Sequence, residues 1–204
     1  MNKLLIATRN QGKLKEISEF LSDLPIKTLS LKDIGIEDEF EEKGKTYKGN
    51  SQNKAIFYAK KSGLPTIADD GGIEIDALRG VPGVKSKRWI GEDSSDEEII
   101  NHMKKISKEL PENNRKAFFK TVVSFALPSG RVWSVPGEIE GIIVQKPYFK
   151  ILSGYPYRSF FYLPKIKKYY HESDLLEEEQ KLYNHRYKAI TKLKPVIIRE
   201  LALT

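Results

Sequence analysis

Two patterns of apolar and polar positions follow one another along the first third of this chain. The apolar run at 3–7, K-L-L-I-A, is typical of a buried strand, and the polar-interrupted stretch at 12–22 is typical of a helix. The same criteria predict a strand near 26–31, a helix at about 46–61 and a strand at 66–69. This alternation predicts an α/β fold with some parallel strand pairs.

The middle third of the chain has a different pattern. Residues 117–127 are rich in Phe, Val and Thr, and the Pro-Ser-Gly sequence at 128–130 is typical of a turn. Strand-like stretches return at 131–135 and again at 137–144. These stretches predict antiparallel strands, so we expect the central sheet to be mixed.

Helix signals appear in the remaining segments. Helices are predicted at 94–107, 174–183 and 186–201. The N-caps expected for the first two are Ser94 or Ser95 and Asp174, and Pro195 is expected to interrupt the last helix. No repeat or linker divides the chain, so we expect a single domain over residues 1–204.

Composition narrows the class of protein. The 204 residues are 39% apolar and 31% charged, which fits a globular protein and argues against disorder. No apolar run approaches the roughly 18 residues of a membrane span, and no secretory signal is evident. The absence of cysteine excludes disulfides, thiolate catalysis and Cys-based zinc sites. We expect a cytoplasmic protein without a membrane partner.

The formal charge of +7 predicts a field that attracts anions, either a nucleotide or a nucleic acid. The densest basic cluster is Lys165, Lys167 and Lys168. Acidic residues follow closely at 177–179, and no zinc-finger, RNP or homeodomain signature is present. We therefore interpret most of these lysines as solvated surface and expect no nucleic-acid partner.

The junction at residues 8–13, T-R-N-Q-G-K, lies between the first strand and the first helix. Unpaired N–H groups at a helix start, with the Lys13 ammonium beside them, suit a phosphate group. The sequence is not a Walker loop, and an ordinary polar strand–turn–helix connection is the alternative interpretation.

A pair of carboxylates, Asp69 and Asp70, follows the apolar strand at 66–69 and precedes Gly71-Gly72. Ligands bind at strand ends in α/β sheets, and glycine lets the backbone approach a ligand closely. Adjacent strand residues point to opposite faces, so the two carboxylates are not expected to face the same ion. The alternative is that D-D-G-G forms a plain turn.

Four blocks of residues along the chain are distinctive in their sequence and order. The first block is T-x-N-x-x-K at 8–13, and the second is the G-K-T-Y segment at 44–47 with Asn50, Lys54 and Ala55. The third is I-A-D-D-G-G-I-E-I-D-A-L at 67–78, continuing through G-V-P-G-V-K-S-K-R-W at 80–89. The fourth is Lys181 with N-H-R at 184–186. In these four blocks the chain resembles the inosine triphosphate pyrophosphatase (Ham1-like) family.

The resemblance implies an elongated mixed sheet with helices on both sides and two lobes around a deep substrate cleft. It implies a Mg²⁺-dependent nucleoside triphosphate pyrophosphatase, commonly a homodimer. The enzyme would remove deaminated purine nucleotides such as ITP, dITP and XTP, releasing a monophosphate and pyrophosphate and so cleansing the nucleotide pool.

The resemblance also assigns roles to residues. Asp70 becomes a metal ligand and the base that activates water, with Asp69 in a supporting role. Glu41 becomes the second metal ligand, with Glu42 as the near alternative because the register within an acidic run is not fixed. The residues implied for substrate and phosphate binding are Thr8, Asn10, Lys13, Lys54, Gly71 and Lys181. Those implied for base binding are Tyr155, Tyr157, Arg158, His185 and Arg186.

Several positions depart from the family pattern. In the block that usually reads G-F-G-Y-D-P, Arg158 replaces the Asp and Ser159 replaces the Pro. Gly71 replaces the Ser after the Asp pair, and Asn184 replaces the Ser of S-H-R. Metal and phosphate positions are better preserved than base positions. The alternative is therefore a diverged homologue that binds nucleotides without turnover or with altered base specificity.

Overall fold

The computed structural model describes residues 2–91 and 94–203, and within them the chain forms two compact units. The first unit comprises Met1–Asp70, Thr121–Gly137 and Arg186–Thr204, and the second comprises Gly71–Lys120 and Glu138–His185. Each unit has its own hydrophobic core. The single domain expected over residues 1–204 stays a prediction.

Five α-helices and seven β-strands are present in the described residues. The helices are α1 (Gln11–Phe20), α2 (Tyr47–Ser62), α3 (Asp96–Glu109), α4 (Glu177–Leu182) and α5 (His185–Glu200). The strands are β1 (Asn2–Ile6), β2 (Ile26–Ser30), β3 (Thr66–Ile75), β4 (Lys116–Ala126), β5 (Val132–Ile143), β6 (Phe161–Leu163) and β7 (Lys168–Tyr169). None of these helices is long and apolar enough to cross a membrane.

The strands form one sheet in the order β2-β1-β3-β4-β5-β6-β7. β1 pairs in parallel with both β2 and β3, whereas β6 pairs antiparallel with β5 and β7. The predicted mixed α/β sheet is therefore confirmed.

In the first unit, β1 is buried on both faces. Leu4 and Ile6 join the cluster that includes residues of α1 and α5, whereas Leu5 and Ala7 join the cluster that includes residues of α2. A strand covered by helices on both sides needs apolar residues at every position, which explains the uninterrupted L-L-I-A run.

A tight hairpin joins β4 and β5 at the predicted turn. The N–H of Leu127 donates to the carbonyl of Arg131 at 2.9 Å, and Gly130 adopts a φ of 91°. The two predicted stretches at 131–135 and 137–144 are one strand, so the predicted break between them is wrong. Pro136 lies inside β5. Proline lacks an N–H, and this interrupts a strand only where the N–H would have paired with a neighbouring strand.

The helix boundaries confirm one predicted N-cap and contradict another. The hydroxyl of Ser95 accepts the N–H of Glu98 at 3.2 Å, so Ser95 caps α3. Asp174 is not the N-cap of α4: Leu176 holds that position, and the Asp174 carboxylate accepts the N–H of Tyr169 at 2.6 Å. The predicted N-cap was wrong because β7 uses this carboxylate.

The predicted interruption at Pro195 is also wrong, since α5 is continuous from His185 to Glu200. Leu193 and Ile197 are fully buried on either side of the proline. Packing of this apolar face holds the helix together across one missing hydrogen bond.

Strand β3 continues past its predicted end at residue 69, so D-D-G-G forms strand rather than turn. A Cβ on Gly72 would lie 2.2 Å from the Ser86 hydroxyl and 2.4 Å from the Gly83 carbonyl oxygen. The Ser86 hydroxyl in turn accepts the N–H of Ile73 at 2.9 Å. Glycine is needed at position 72 because this segment approaches the strand closely.

Candidate active site

The two aspartates lie on opposite faces of β3, as strand geometry predicts. Ile67, which shares a face with Asp69, packs in the cluster that includes α1 and α5. Ala68, which shares a face with Asp70, packs in the cluster that includes α2. Each carboxylate therefore meets a different set of partners.

One oxygen of Asp69 accepts all of its polar contacts in the described residues. Its Oδ2 lies 3.1 Å from Nζ of Lys13, 3.0 Å from both Nε and Nη2 of Arg186, and 3.4 Å from the hydroxyl of Thr121. Oδ1 is buried and has no hydrogen-bond partner within the described residues. The side chain as a whole is fully buried.

The two cations determine the charge of Asp69. Burial alone would raise the pKa of its carboxyl group, but the charges of Lys13 and Arg186 outweigh burial and hold that pKa well below its usual range. Arg186 also forms an ion pair with Glu16 on α1, and its side chain is only 2% exposed. Asp69 is thus an ionised, structural counter-ion rather than a proton acceptor.

The first strand–helix junction has the predicted form, and part of its polar chemistry is local. The side chain of Asn10 caps α1 by accepting the N–H of Lys13 at 3.0 Å. The hydroxyl of Thr8 accepts the N–H of Asn10 at 3.2 Å. The Lys13 side chain remains 20% exposed, so it is not sealed from solvent.

Asp70 is held by an amide from the start of α2. Nδ2 of Asn50 donates to Oδ2 of Asp70 at 2.9 Å, and Oδ1 of Asn50 accepts the N–H of Gly44 at 2.8 Å. Burial and the charge of Glu42 raise the pKa of Asp70 to about 6, against the opposing effects of Lys13 and Asn50. A carboxylate of this pKa suits a general base near neutral pH.

The acidic loop brings Glu42, rather than Glu41, to this carboxylate. Glu42 forms an ion pair with the buried Lys54, and its charge acts on Asp70. Burial acts to lower the pKa of Lys54, but Glu42 and the two aspartates together raise it. Glu41 is 71% exposed and pairs with Lys43 at 2.8 Å. It is therefore Glu42 whose charge acts on Asp70, and which of the two glutamates would bind a metal ion stays a prediction.

The chemistry of Asp70 and Glu42 fits a hard divalent cation. Burial and, after it, the charge of Glu42 raise the pKa of Asp70, and a cation near both carboxylates would relieve their repulsion. Magnesium usually takes one or two carboxylates together with phosphate oxygens. Within the described residues no three His, Cys, Asp or Glu side chains form a metal group, so substrate oxygens would have to complete such a site.

In the second unit, three of the residues implied for base binding form a cluster, in which Arg158 and His185 are buried and Tyr155 is half-buried. The guanidinium carbon of Arg158 lies 3.7 Å from the ring centre of Tyr155 and 4.4 Å from that of Tyr170. The hydroxyl of Tyr170 lies 3.2 Å from Nδ1 of His185, whose ring stacks on Phe119. This cluster thus places aromatic ring faces next to hydrogen-bonding side chains.

The remaining residues predicted for the site are not part of the cluster around Arg158. The hydroxyl of the buried Tyr157 donates to the carbonyl of Ser86, and burial raises the pKa of this phenol. Arg186 belongs to the ion-pair network of the first unit. Lys181 is 42% exposed and pairs with Glu177 at 3.3 Å, and Gly71 is part of β3.

Three participating residues were missed from the sequence. Glu16 lies three positions after Lys13 on α1, and this spacing on one helix face was a usable signal. Tyr170 was hidden within an aromatic run, and Thr121 gave no signal because its role depends on strand pairing.

Comparisons with known proteins cover nearly the whole chain. A family model described as the Ham1 family matches residues 4–196. A Geobacter sulfurreducens protein named dITP/XTP pyrophosphatase is 38% identical over 196 residues, covering 95% of this chain and 96% of that protein.

Solved structures agree at the level of the fold. The structure of a HAM1 protein from Coxiella burnetii matches with a TM-score of 0.82 and 31% identity, covering 98% of this chain and 100% of that chain. The Ham1 protein of Staphylococcus aureus matches with a TM-score of 0.80 and 30% identity over the same shares of each chain. The α/β architecture described above is thus common to all three chains.

Proposed function

The chain belongs to the Ham1 family, and from this premise we propose that it hydrolyses the triphosphates of deaminated purine nucleosides. The substrates are ITP, dITP and XTP, and the products are the nucleoside monophosphate and pyrophosphate. The name dITP/XTP pyrophosphatase, which the Geobacter sulfurreducens relative carries, supports this choice of substrate.

The observation that carries the proposal is that Asp69 and Asp70, on opposite faces of β3, have pKa values shifted in opposite directions. The pKa of Asp70 is raised to about 6, so near pH 7 its carboxylate is mostly ionised and still basic enough to accept a proton. Asp69 is held ionised by two cations and is too weak a base to accept a proton near neutral pH. We assign the general base to Asp70.

The proposed reaction is attack by water at the α-phosphorus of the substrate. Asp70 accepts the proton of the water, the new oxygen–phosphorus bond forms, and the bond to the oxygen bridging the α- and β-phosphorus atoms breaks. The leaving pyrophosphate carries away the bridging oxygen. Atoms and charge balance without any further reactant.

Lys13 and Lys54 stabilise the negative charge on the phosphates in this proposal. Lys13 is partly exposed at the N-terminus of α1, where the helix start adds N–H donors. Lys54 is cationic and buried near Asp70. Cations already fixed in a poorly solvated site stabilise a transition state more strongly than mobile ones.

We propose Mg²⁺ as the cofactor, held by Asp70 and Glu42, with Glu41 as the alternative to Glu42. When bound, the ion would neutralise phosphate charge and lower the pKa of a bound water. A homodimer and a cytoplasmic location are further proposals that rest on the family resemblance alone. Sedimentation analysis and imaging of a tagged protein test them.

The decisive assay measures pyrophosphate and monophosphate release from ITP, dITP, XTP, ATP and dTTP, with excess Mg²⁺ and with a chelator. We expect rapid release from the first three substrates, and none under chelation. Release of orthophosphate instead would place the cleaved bond elsewhere. Tight binding without release would identify the chain as a nucleotide-binding homologue.

A further inference from the structure

One face of α2 carries polar side chains three or four residues apart. They are Asn50, Lys54, Tyr58 and Lys61, and residues at these spacings lie one above another on a helix. All four contact the acidic loop, which comprises residues 38–44 and contains no helix or strand. The acidic loop therefore runs along this face of α2.

The contacts follow the loop in the order opposite to the helix. At the start of α2, Oδ1 of Asn50 accepts the N–H of Gly44 at 2.8 Å. One turn later Lys54 forms its ion pair with Glu42, and after another turn the Tyr58 hydroxyl contacts the loop backbone. The spacings of the two segments match, because four helical residues rise about 6 Å and two residues of extended chain span roughly 6.5 Å.

Tyr58 connects the acidic loop to the core of the first unit. Its side chain is 2% exposed and packs in the cluster that contains Ala55 and Ala59. Its hydroxyl donates to the carbonyl of Asp38 at 2.8 Å and accepts the N–H of Phe40 at 3.1 Å. Because a hydroxyl can donate and accept at once, this one group holds two backbone groups of the loop.

Glu42 lies midway between two anchored positions of the loop, Gly44 and Phe40. The N–H of Lys43 donates to the carbonyl of Glu41 at 3.1 Å, which closes a tight turn with Glu42 at its centre. Glu41 and Lys43 are exposed, whereas Glu42 is half-buried. A shift of the loop by one residue would reverse this alternation and turn Glu41 or Lys43 toward α2.

We propose that Tyr58 is a positioning residue that sets the register of the acidic loop, so that Glu42 rather than Glu41 pairs with Lys54. This inference rests on the proposed function, because Glu42 is one of the carboxylates proposed to bind Mg²⁺. Tyr58 acts through the loop backbone and not by contact with the ion. A carboxylate already held in place binds a cation more tightly than one that must first be ordered, since ordering a side chain and its backbone costs conformational entropy.

The first measurement requires no catalysis. Wild type, Tyr58→Phe and Tyr169→Phe are treated with a glutamyl endopeptidase, and the cleavage sites are mapped by mass spectrometry. Tyr169→Phe is the matched control, because it also removes a hydroxyl that donates to a backbone carbonyl, that of Lys146 at 2.9 Å in the second unit. Cleavage within 38–44 should be about threefold to tenfold faster in Tyr58→Phe, the factor expected for one lost hydrogen bond, and unchanged in the control.

The second measurement separates positioning from a general loss of stability. Pyrophosphate release from ITP is measured against Mg²⁺ concentration for Glu42→Gln and Glu41→Gln, each alone and combined with Tyr58→Phe. Glu42→Gln should raise the Mg²⁺ concentration that gives half the maximal rate, and Glu41→Gln should not. Tyr58→Phe should raise it about threefold to tenfold in wild type and much less once Glu42 is replaced, because the two substitutions affect the same contact. A purely structural role would give the same factor in both backgrounds.

Each outcome decides. Unchanged cleavage in Tyr58→Phe, or an equal effect of this substitution with and without Glu42, overturns the role of Tyr58. A Mg²⁺ requirement that depends on Glu41 instead overturns the register. If wild type releases no pyrophosphate, the proposed function fails, while the cleavage experiment still tests the anchor. If Tyr58→Phe does not fold, hydrogen exchange of the Phe40 amide in wild type decides: protection supports its bond to Tyr58, and exchange at the rate of an unprotected amide overturns it.

Discussion

Asp69 and Asp70 are adjacent on β3, yet the fold moves the pKa values of their carboxyl groups in opposite directions. Strand geometry turns Asp69 toward Lys13 and Arg186, and it turns Asp70 toward Asn50 and the charge of Glu42. Two identical side chains thereby acquire different acidity, since one carboxyl group is held ionised and the other is easier to protonate.

Asp70→Asn should lower turnover and raise stability together. Loss of the general base is expected to reduce pyrophosphate release by about 10²-fold or more. Because the folded pKa of Asp70 is raised above its unfolded value, ionisation near pH 7 opposes folding by roughly 2–3 kcal/mol. The variant should therefore melt at a higher temperature than wild type near pH 7, and the difference should shrink toward pH 4.

Asp76→Asn is the control for this experiment, since Asp76 is an exposed carboxylate in a short 3-10 turn. It should change neither turnover nor the melting temperature appreciably. Near-wild-type activity of purified Asp70→Asn would remove Asp70 from the mechanism.

Asp69→Asn should destabilise the protein. The substitution removes one of the two charged partners of the buried Arg186, and breaking a buried ion pair typically costs about 3–5 kcal/mol. The folded pKa of Asp69 is depressed, so its stabilising effect is present above the unfolded pKa of about 3.9 and is lost as pH falls below it. Denaturant unfolding of both proteins at neutral and acid pH measures this effect.

The matched control is Asp23→Asn, which removes an exposed carboxylate paired with Lys194 at 2.7 Å. Exposed ion pairs contribute little, so this variant should unfold like wild type. Equal stability of Asp69→Asn and wild type at neutral pH would refute the structural role.

Glu42→Gln should shift the pH profile of the enzyme. The charge of Glu42 raises the pKa of Asp70, so its removal should move the acid limb of kcat/KM to lower pH by roughly half a unit or more. Glu41→Gln, in which an exposed residue is changed, should leave the limb in place. The reverse pattern would restore Glu41 as the residue coupled to the base.

Lys13→Ala should weaken binding of a triphosphate much more than binding of the product monophosphate. The ammonium makes a charge-assisted contact where negative charge is most concentrated, and the monophosphate lacks the distal phosphates. Titration calorimetry with a non-hydrolysable triphosphate and with the monophosphate separates the two losses. Equal losses would show that Lys13 does not bind the distal phosphates.

Tyr157→Phe should affect stability rather than base preference. Its buried hydroxyl donates to the carbonyl of Ser86, and an unsatisfied carbonyl typically costs about 1–3 kcal/mol. The ratio of kcat/KM for XTP to that for ITP should be unchanged. A changed ratio with unchanged stability would return Tyr157 to the base-binding residues.

Local sequence patterns correctly predicted the structural elements that depend mainly on residues close by in the chain. The apolar run of β1, the glycine turn between β4 and β5 and the Ser95 cap are decided by neighbouring residues. The predictions for Asp174 and Pro195 were wrong for other reasons. The Asp174 carboxylate accepts the N–H of Tyr169 in β7 instead of capping α4, and core packing keeps α5 continuous through Pro195.

The sequence indicated which types of residue form the site better than it indicated which of them contact one another. Asp70 and Lys13 were assigned from motifs, whereas Asn50 was given no role although it lies in a matched block. The pairing of Lys54 with Glu42 rather than Glu41 depends on the path of the acidic loop. Arg186 was assigned to the base, and no spacing in the sequence indicates that it pairs with Asp69 across 117 positions.

The hydrogen bond from Gly44 to Asn50 orients the amide that faces Asp70, the proposed general base. Because the Gly44 N–H holds the oxygen end of the amide, the nitrogen end is turned toward Oδ2 of Asp70. This donor disfavours a proton on Oδ2. In the proposed reaction, one glycine amide on a neighbouring loop thus helps to select which oxygen of Asp70 accepts the proton.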